Sequence, residues 1–456
     1  MPSTGVRIGL GSGRLEVCPP GTVAFAGVEM QKSWMLFALA FGCVPTEEEQ
    51  KRREADPTPD PAPACEPLEV AVSDAARSVA DANNAFATDM YATVAASQSP
   101  DKNLFFSPFS ISSALGMTLA GAEGETAAQM QDVFHIDDDV AAHHAGYSDL
   151  REAVFAKGVH CDATLNMANR LFGQVGYPWF GDFLDVTAGD YGAPLEELDF
   201  EAGPEDARTY INDWVADQTE DRILDLLPPG SIVTATRLVL ANAIYFKGNW
   251  EHAFDVTNTR DVDFLRPDGS TVQAPTMFET IDTRSAIIDG FLAVELDYQG
   301  GNQSMVLVMP EDPAATGVAA SAFESDAIDA VEDSLTELGE VWVGLPRFSF
   351  EQETGLSDVL KDMGMVDAFE PSIANFDGMV GSPDSGLYIG GAFHKAFVAV
   401  DETGTEAAAA TAVVMNDESA SMTFDFVADR TFEFYIRDNL TGAILFMGRV
   451  TDPTAE

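Results

Sequence analysis

The side chains of this chain that could do chemistry are few and widely spread. Six histidines occur in 456 residues, and three of them, His135, His143 and His144, share the run HIDDDVAAHH with three aspartates. Imidazole and carboxylate are metal-ligand types, but a polar run of this kind reads first as a solvated helix end or loop, and no metal is expected there. His394 could act as general base for a serine nucleophile. Such a serine needs a strained G-x-S-x-G elbow, and none occurs, which argues against a hydrolase. The four cysteines, Cys18, Cys43, Cys65 and Cys161, form no C-x-x-C pair, so neither a zinc ribbon nor a dithiol centre is indicated. Cys65 and Cys161 could pair outside the cytoplasm, but spacing does not establish geometry. No cofactor is expected.

The most informative segment carries almost no chemistry. Residues Gly404–Val414 read GTEAAAATAVV, with no charge after Glu406. Taken alone, EAAAATA is a strong helix former, because alanine loses least on entering a helix. Gly404 in front supplies backbone freedom, however, and Thr411, Val413 and Val414 behind favour a strand. Extended, the segment would present Thr405, Ala407, Ala409, Thr411, Val413 and Met415 on one face, all uncharged. Glu406, Ala408, Ala410, Ala412 and Val414 would lie on the other. The first face could be buried at no ionic cost, and its small members could slide between packed neighbours.

The elements around this run are legible from periodicity. VAVSDAARSVADANNAFATDMYATVAA (Val70–Ala96) is spaced as a long amphipathic helix. NLFF gives a short strand, Ser107-Pro108 a helix start, and the small residues that follow a packed helix. EDARTYINDWVADQTEDRILDLL is expected to be helical throughout. TRLVLANAIYFKGNWEHAF (Thr236–Phe254) is a nearly continuous apolar strand, as a strand buried on both faces should be. SMVLVMP (Ser304–Pro310), EVWVGLPRFSFE (Glu340–Glu351) and a hairpin within Arg430–Val450 are further strands. Helices early and strands late indicate an α+β fold.

Acidic residues outnumber basic ones 75 to 24, a net charge of −51. Such a field repels phosphate backbones and anionic lipid, so no nucleic-acid partner is expected. With 46% apolar residues and 30 phenylalanines, the acidity reads as a solvated surface over a large core. Near the N-terminus, the apolar run Trp34–Phe41 behind Lys32 is a secretory signal too short to span a bilayer. Its ending, AFGC, resembles a bacterial lipobox, which makes Cys43 the expected lipidated residue. The expected organisation is therefore a mis-assigned start over 1–29, a signal peptide over 30–43, a Pro- and charge-rich tether over 44–67, and a main domain over 68–456. The product would be extracytoplasmic, anchored to the cell envelope through lipid or else secreted, and monomeric.

Five collinear blocks of the main domain resemble the serpin family: NLFFSPFSISSALGMTLAGAEGETAAQM (Asn103–Met130), LNMANRLFGQ (Leu165–Gln174), TRLVLANAIYFKGNWEHAF, HKAFVAVDETGTEAAAATAVV (His394–Val414) and ADRTFEFYIRDNLTGAILFMGRVTDPT (Ala428–Thr454). The resemblance implies three β-sheets, a jacket of about eight or nine helices, and an exposed reactive loop over about 402–424. It also implies suicide inhibition of a serine or cysteine protease, in which the cleaved loop enters the central sheet as a new strand. Its hinge would be Glu402, Gly404, Thr405, Glu406 and Ala407, Ala408, Ala409 and Ala410. By the resemblance, His394, Asn242, Ser107 and Ser110 meet beneath the sheet where it opens, and Trp250 stands near the point of loop entry or simply packs in the core.

In the family the scissile bond lies seventeen residues into the loop. Counted with Glu402 as the first, that bond is Glu418–Ser419. Asp417, Ala420 and Met422 are alternative bait residues. A Glu418 bait implies a glutamate-specific protease with a cationic or hydroxyl-lined pocket, since a carboxylate is costly to bury unpaired. An Ala420 bait implies an elastase-like one. The alternative within the family is a non-inhibitory protein with a binding, chaperone or storage role. No basic stripe suggests a polyanionic activator.

Overall fold

The computed structural model describes residues 71–137, 139–155, 164–313, 323, 327–335, 338–381, 386–405 and 424–455. The chain divides into units 1–64 and 65–456, and all described residues belong to the second. The signal, the tether, Cys43 and the other cysteines lie outside the described residues, as do Glu406, Ala407–Ala410 and the bait positions Asp417, Glu418, Ser419, Ala420 and Met422. Among the described residues no helix is long and apolar enough to cross a membrane.

Eight α-helices are present among the described residues. Helix α1 (Asp74–Ser97) starts where Ser73 Oγ accepts the Ala76 N–H at 3.0 Å. Helix α2 (Pro108–Leu119) is capped likewise, Ser107 Oγ accepting the Ser110 N–H at 3.1 Å with Pro108 at the first position. Eleven of its twelve residues are buried, so α2 is a core helix beneath the sheets. Helices α3 (Gly124–Val133), α4 (Val140–Phe155), α5 (Gly181–Gly189), α6 (Pro204–Gln218), α7 (Ala327–Ser334) and α8 (Leu356–Asp362) complete the jacket.

The strands build three sheets, two of which share one long strand. The central sheet runs β10 (Phe348–Gly355), β11 (Phe393–Val400), β12 (Gly404–Thr405), β4 (Leu238–Asn249), β2 (Thr164–Gln174), β3 (Glu196–Leu198). In the other two, the eighteen-residue β6 (Thr271–Ile288) pairs with β7 (Phe291–Asp297) at its end and with β5 (Arg260–Leu265) and β9 (Leu338–Pro346) earlier. The path continues from β7 through β8 (Gln303–Pro310), β14 (Phe432–Asp438) and β15 (Ile444–Val450) to β1 (Leu104–Phe106), and from β9 to β13 (Phe424–Val427). A main core lies between the sheets and α2, with Phe105 stacked on Phe446 and Phe434. A second core lies where α6 and the segment after it cover the outer face of β2, β4 and β11 through Ile211, Val215, Ile223 and Leu227.

Two sequence expectations change. EVWVGLPRFSFE is two strands in different sheets, β9 and β10, because the chain breaks at Pro346 and Arg347, whose N–H donates to Pro275 O. The helix expected through Leu227 stops at Gln218. Thr219 ends it by donating its hydroxyl back to Val215 O, and Glu220, Asp221 and Asp225 then adopt positive φ of 52°, 61° and 51°.

Candidate functional site

The central sheet has a seam. β11 and β4 are parallel neighbours, but they pair directly only at Lys395 with Ala243 and Ala396 with Ile244. Towards one end they part, and the two residues of β12 stand between them, antiparallel to both. Thr405 pairs with Val400 on one side and with Gly248 on the other, and Gly404 pairs with Asn249. Gly404 is required here: a Cβ at this position would lie 2.0 Å from the Gly248 carbonyl oxygen. β12 is therefore a wedge started at the mouth of the seam.

Beneath the seam lies a buried polar cluster. Register places His394 of β11 beside Asn242 of β4, and α2 comes up below them. The Ser107 N–H donates to His394 Nε2 at 3.0 Å, so the ring proton is on Nδ1 and is given to Asn242 Oδ1 at 2.5 Å. Asn242 Nδ2 donates to the Ser110 carbonyl at 2.6 Å and to Asn169 Oδ1 at 2.8 Å. Ser107 Oγ donates to Leu445 O. Burial drives the His394 imidazole down to about 3, which keeps it neutral. With Nε2 occupied by a backbone N–H and both serine hydroxyls engaged elsewhere, this histidine is not set up as a base for either serine. Its geometry ties three strands to one helix across the seam.

The mouth is held by a second set of contacts. Trp250 is 1% exposed and stacks on Tyr298 at 4.6 Å. Its backbone N–H donates to Thr403 O and its indole N–H to Asp401 O, so it packs in the core and also grips the turn before β12. Tyr298 OH and Thr405 Oγ1 lie 2.7 Å apart. Glu402 is only 4% exposed, and its carboxylate accepts from Arg347 and Thr259. Burial alone would raise this carboxyl, but the Arg347 and Thr259 hydrogen bonds outweigh it and hold the group below its ordinary value.

Sequence reasoning named His394, Asn242, Ser107, Ser110, Trp250, Glu402, Gly404 and Thr405, and the structure gathers them into these two groups. It missed Asn169, Tyr298, Thr259 and Arg347. Asn169 alone carried a signal, since asparagine is depleted from strand interiors and here sits mid-strand in β2. Among the described residues no group of three His, Cys, Asp or Glu side chains is placed to hold a metal ion. Within HIDDDVAAHH, His135 does lie at the surface beside Asp89, at 2.8 Å. His144 instead faces inward, its Nδ1 2.8 Å from the Tyr191 hydroxyl, because α4 turns that position towards the core.

Two outcomes follow from these geometries. The unfolded His394 titrates near 6.5 and the native one near 3, so between these values the unfolded state binds the extra proton. The cluster's contribution is full above pH 6.5 and is lost as pH falls towards 3. His394→Gln should be less stable at neutral pH, yet its stability should fall less on acidification, by about 1.4 kcal/mol per pH unit, in urea melts between pH 6 and 4. An unchanged slope would overturn the assignment. Arg347→Ala leaves a buried carboxylate short of its main partner; with Arg347 half exposed, a loss of about 1–2 kcal/mol is expected in thermal melts of the uncleaved protein. Arg347→Lys should recover part of it.

A model of the Serpin (serine protease inhibitor) family matches residues 81–453. Leukocyte elastase inhibitor A of Rattus norvegicus is 39% identical over 394 residues, 82% of this chain and 99% of the relative. Antithrombin-III of Mus musculus is 37% identical over 381 residues, 82% of this chain and 81% of the relative. Among solved structures, Arabidopsis AtSerpin1 in its native stressed conformation superposes with a TM-score of 0.73 at 29% identity, covering 84% of this chain and all of the other. Uncleaved ovalbumin does so at 0.71 and 28%, covering 82% of this chain and 100% of that one. A wedge begun between β11 and β4, a buried polar cluster across the seam below it, and a family match that spans both sheets and jacket place this chain in the serpin family.

Proposed function

We propose that this serpin inhibits a serine protease by suicide trapping. One observation carries the reading: β12 already stands in the seam, with Thr405 turned to the buried Tyr298, while β11 and β4 pair directly at two positions only. Ile244 and Phe246 of β4 belong to the main core on the Tyr298 side, whereas Ala241 and Ala243 face α6. Alternation from Thr405 then sends Ala407, Ala409, Thr411 and Val413 into the main core, and Ala408, Ala410 and Ala412 towards the α6 side. None of these is charged and none is larger than valine; the one charged residue of the run, Glu406, would come first on the α6 side. Relatives named as an elastase inhibitor and as antithrombin support the same reading.

In this mechanism the protease attacks the bait carbonyl through its serine and expels the C-terminal segment, leaving an acyl-enzyme. The freed loop enters the seam as a strand before water can release the enzyme. The fourteen residues Thr405–Glu418 at ~3.3 Å each carry the tethered protease ~45 Å, far enough to distort its catalytic site against the body of the inhibitor. New backbone hydrogen bonds on both sides of the incoming strand, at about 1 kcal/mol each, and the buried face supply the free energy.

With Glu418 as bait, a glutamate-specific serine protease should form a complex that survives SDS and release a C-terminal peptide beginning at Ser419. A peptide starting elsewhere moves the bait to Asp417, Ala420 or Met422. Cleavage with no complex and an unchanged melting temperature would overturn inhibition in favour of a binding or storage role. Ala407→Arg should be cut as a plain substrate, with complex yield down at least about tenfold, because insertion would bury a charge.

A further inference from the structure

Register fixes where an inserted loop would leave the central sheet. Gly404 faces Asn249 and Thr405 faces Gly248, so each further loop residue steps back one position along β4, and Met415 comes opposite Leu238, where β4 begins. Every candidate bait residue, from Asp417 to Met422, lies beyond that point. On its other side Leu238 faces Gly173 of β2, and the next N–H of β2, that of Gln174, donates to Arg237 O at 2.8 Å. The ester that ties a trapped protease to the loop therefore emerges at the foot of β4 and β2, level with the turn 175–180 that joins β2 to α5. The incoming strand would lie two strand spacings from β2, ~10 Å. That is less than the radius of an ordinary protease domain, about 20 Å.

The turn reads VGYPWF, and it carries apolar side chains outward. Val175 is 47% exposed and Phe180 44%, and at the same end Val233, in the turn that leads into β4, is 52% exposed. Tyr177 and Trp179 are half-buried, with ring centroids 5.0 Å apart. These side chains do not project from loose chain. The N–H groups of Val175, Tyr177, Trp179 and Phe180 donate to Leu198 O, Gln174 O, Tyr177 O and Met379 O at 2.8–3.2 Å. Gly381, with φ of 56°, lies against Phe180, where a Cβ would come within 2.8 Å of the ring. On a chain with 75 acidic residues, large apolar side chains held rigidly outward at one end of the central sheet mark a contact surface.

We propose that the turn 175–180, with Val233, is a landing surface for the protease that loop insertion carries to this end. A few side chains are too small an area to hold a free partner. An acylated protease arrives tethered, at the high effective concentration of an intramolecular contact, so a small apolar surface suffices. It favours the distorted enzyme over the intact one, because distortion uncovers apolar residues that an intact enzyme keeps inside. Insertion decides whether an enzyme molecule is caught, and landing decides how long it stays caught. This surface rests on the trapping reading.

The test follows the return of peptidase activity from purified SDS-stable complexes, made with a glutamate-specific or an elastase-like protease according to the bait. Val175→Ser combined with Phe180→Ser should release active enzyme at least about fivefold sooner than wild type, with complex yield and stoichiometry unchanged. Phe180→Leu should retain the wild-type lifetime. Val256→Ser, an exposed position beside the mouth, should also leave it unchanged. Hydrogen exchange read by mass provides a second measurement on the wild type. The N–H groups of Gly181, Asp182 and Phe183 in the first turn of α5 should exchange more slowly in the complex than in inhibitor whose loop has been cut and inserted with no enzyme attached. Complexes of the double variant that last as long as wild type overturn the landing surface and leave the trap standing. Should that variant not fold, equal exchange in the wild-type complex and the cut inhibitor overturns it. A wild-type protein that leaves no complex with either protease overturns the trapping reading and this surface together.

Discussion

Two parallel strands that lie side by side yet pair at only two positions leave backbone N–H and C=O groups along their facing edges with less than a full ladder. That deficit between β11 and β4 is the constraint on which the rest of this molecule depends. A complete sheet would have nothing to gain from another strand, and a wide gap would admit any strand at any time. The seam stays nearly closed because His394 and Asn242 bridge it from below, each satisfied by the other and by α2. Neutrality of the imidazole matters to this arrangement, since an imidazolium has no acceptor for the Ser107 N–H.

The surrounding elements follow from that closure. α2 must be buried almost all round so that its first turn can reach the underside of the strands, and its capping serine, Ser107, serves the helix and the cluster together. The mouth needs its own restraint, because β12 is already inside it. Trp250 and the Glu402–Arg347 pair supply this by gripping the three residues that precede Gly404. The outer face needs a cover over alanines, which α6 and the segment after it provide. Small residues at Ala168, Ala241 and Ala243 keep that cover close to the sheet.

Much of this was readable in the residue order. Continuous apolar stretches marked β4 and β8 as buried strands, Ser107-Pro108 marked the start of α2, and the collinear blocks carried the family. The misreadings are equally physical. Local periodicity ran EVWVGLPRFSFE together as one strand, although β9 and β10 answer to different sheets and only the path of the chain around Arg347 separates them. The acidic, helix-compatible stretch after Gln218 was read as helix, but the demand to reach across the seam to β4 overrides propensity there. His144 looked solvated because a single sequence cannot say which side of α4 the sheets will occupy.

By itself the sequence determined which segments could be buried, where helices begin, and that the run after Gly404 has one face without charge, because these are matters of side-chain type and period along a line. Only the tertiary structure decided that His394, Asn242, Asn169, the helix-capping Ser107 and Ser110 share one network, that Thr405 points at Tyr298, and that Lys395 donates to Leu224 O. Those partners stand 59 to 287 residues apart in the chain. Hydrogen bonds of that range exist only once strands from distant parts of the sequence have been brought into register, and no local preference encodes the register of a parallel pair.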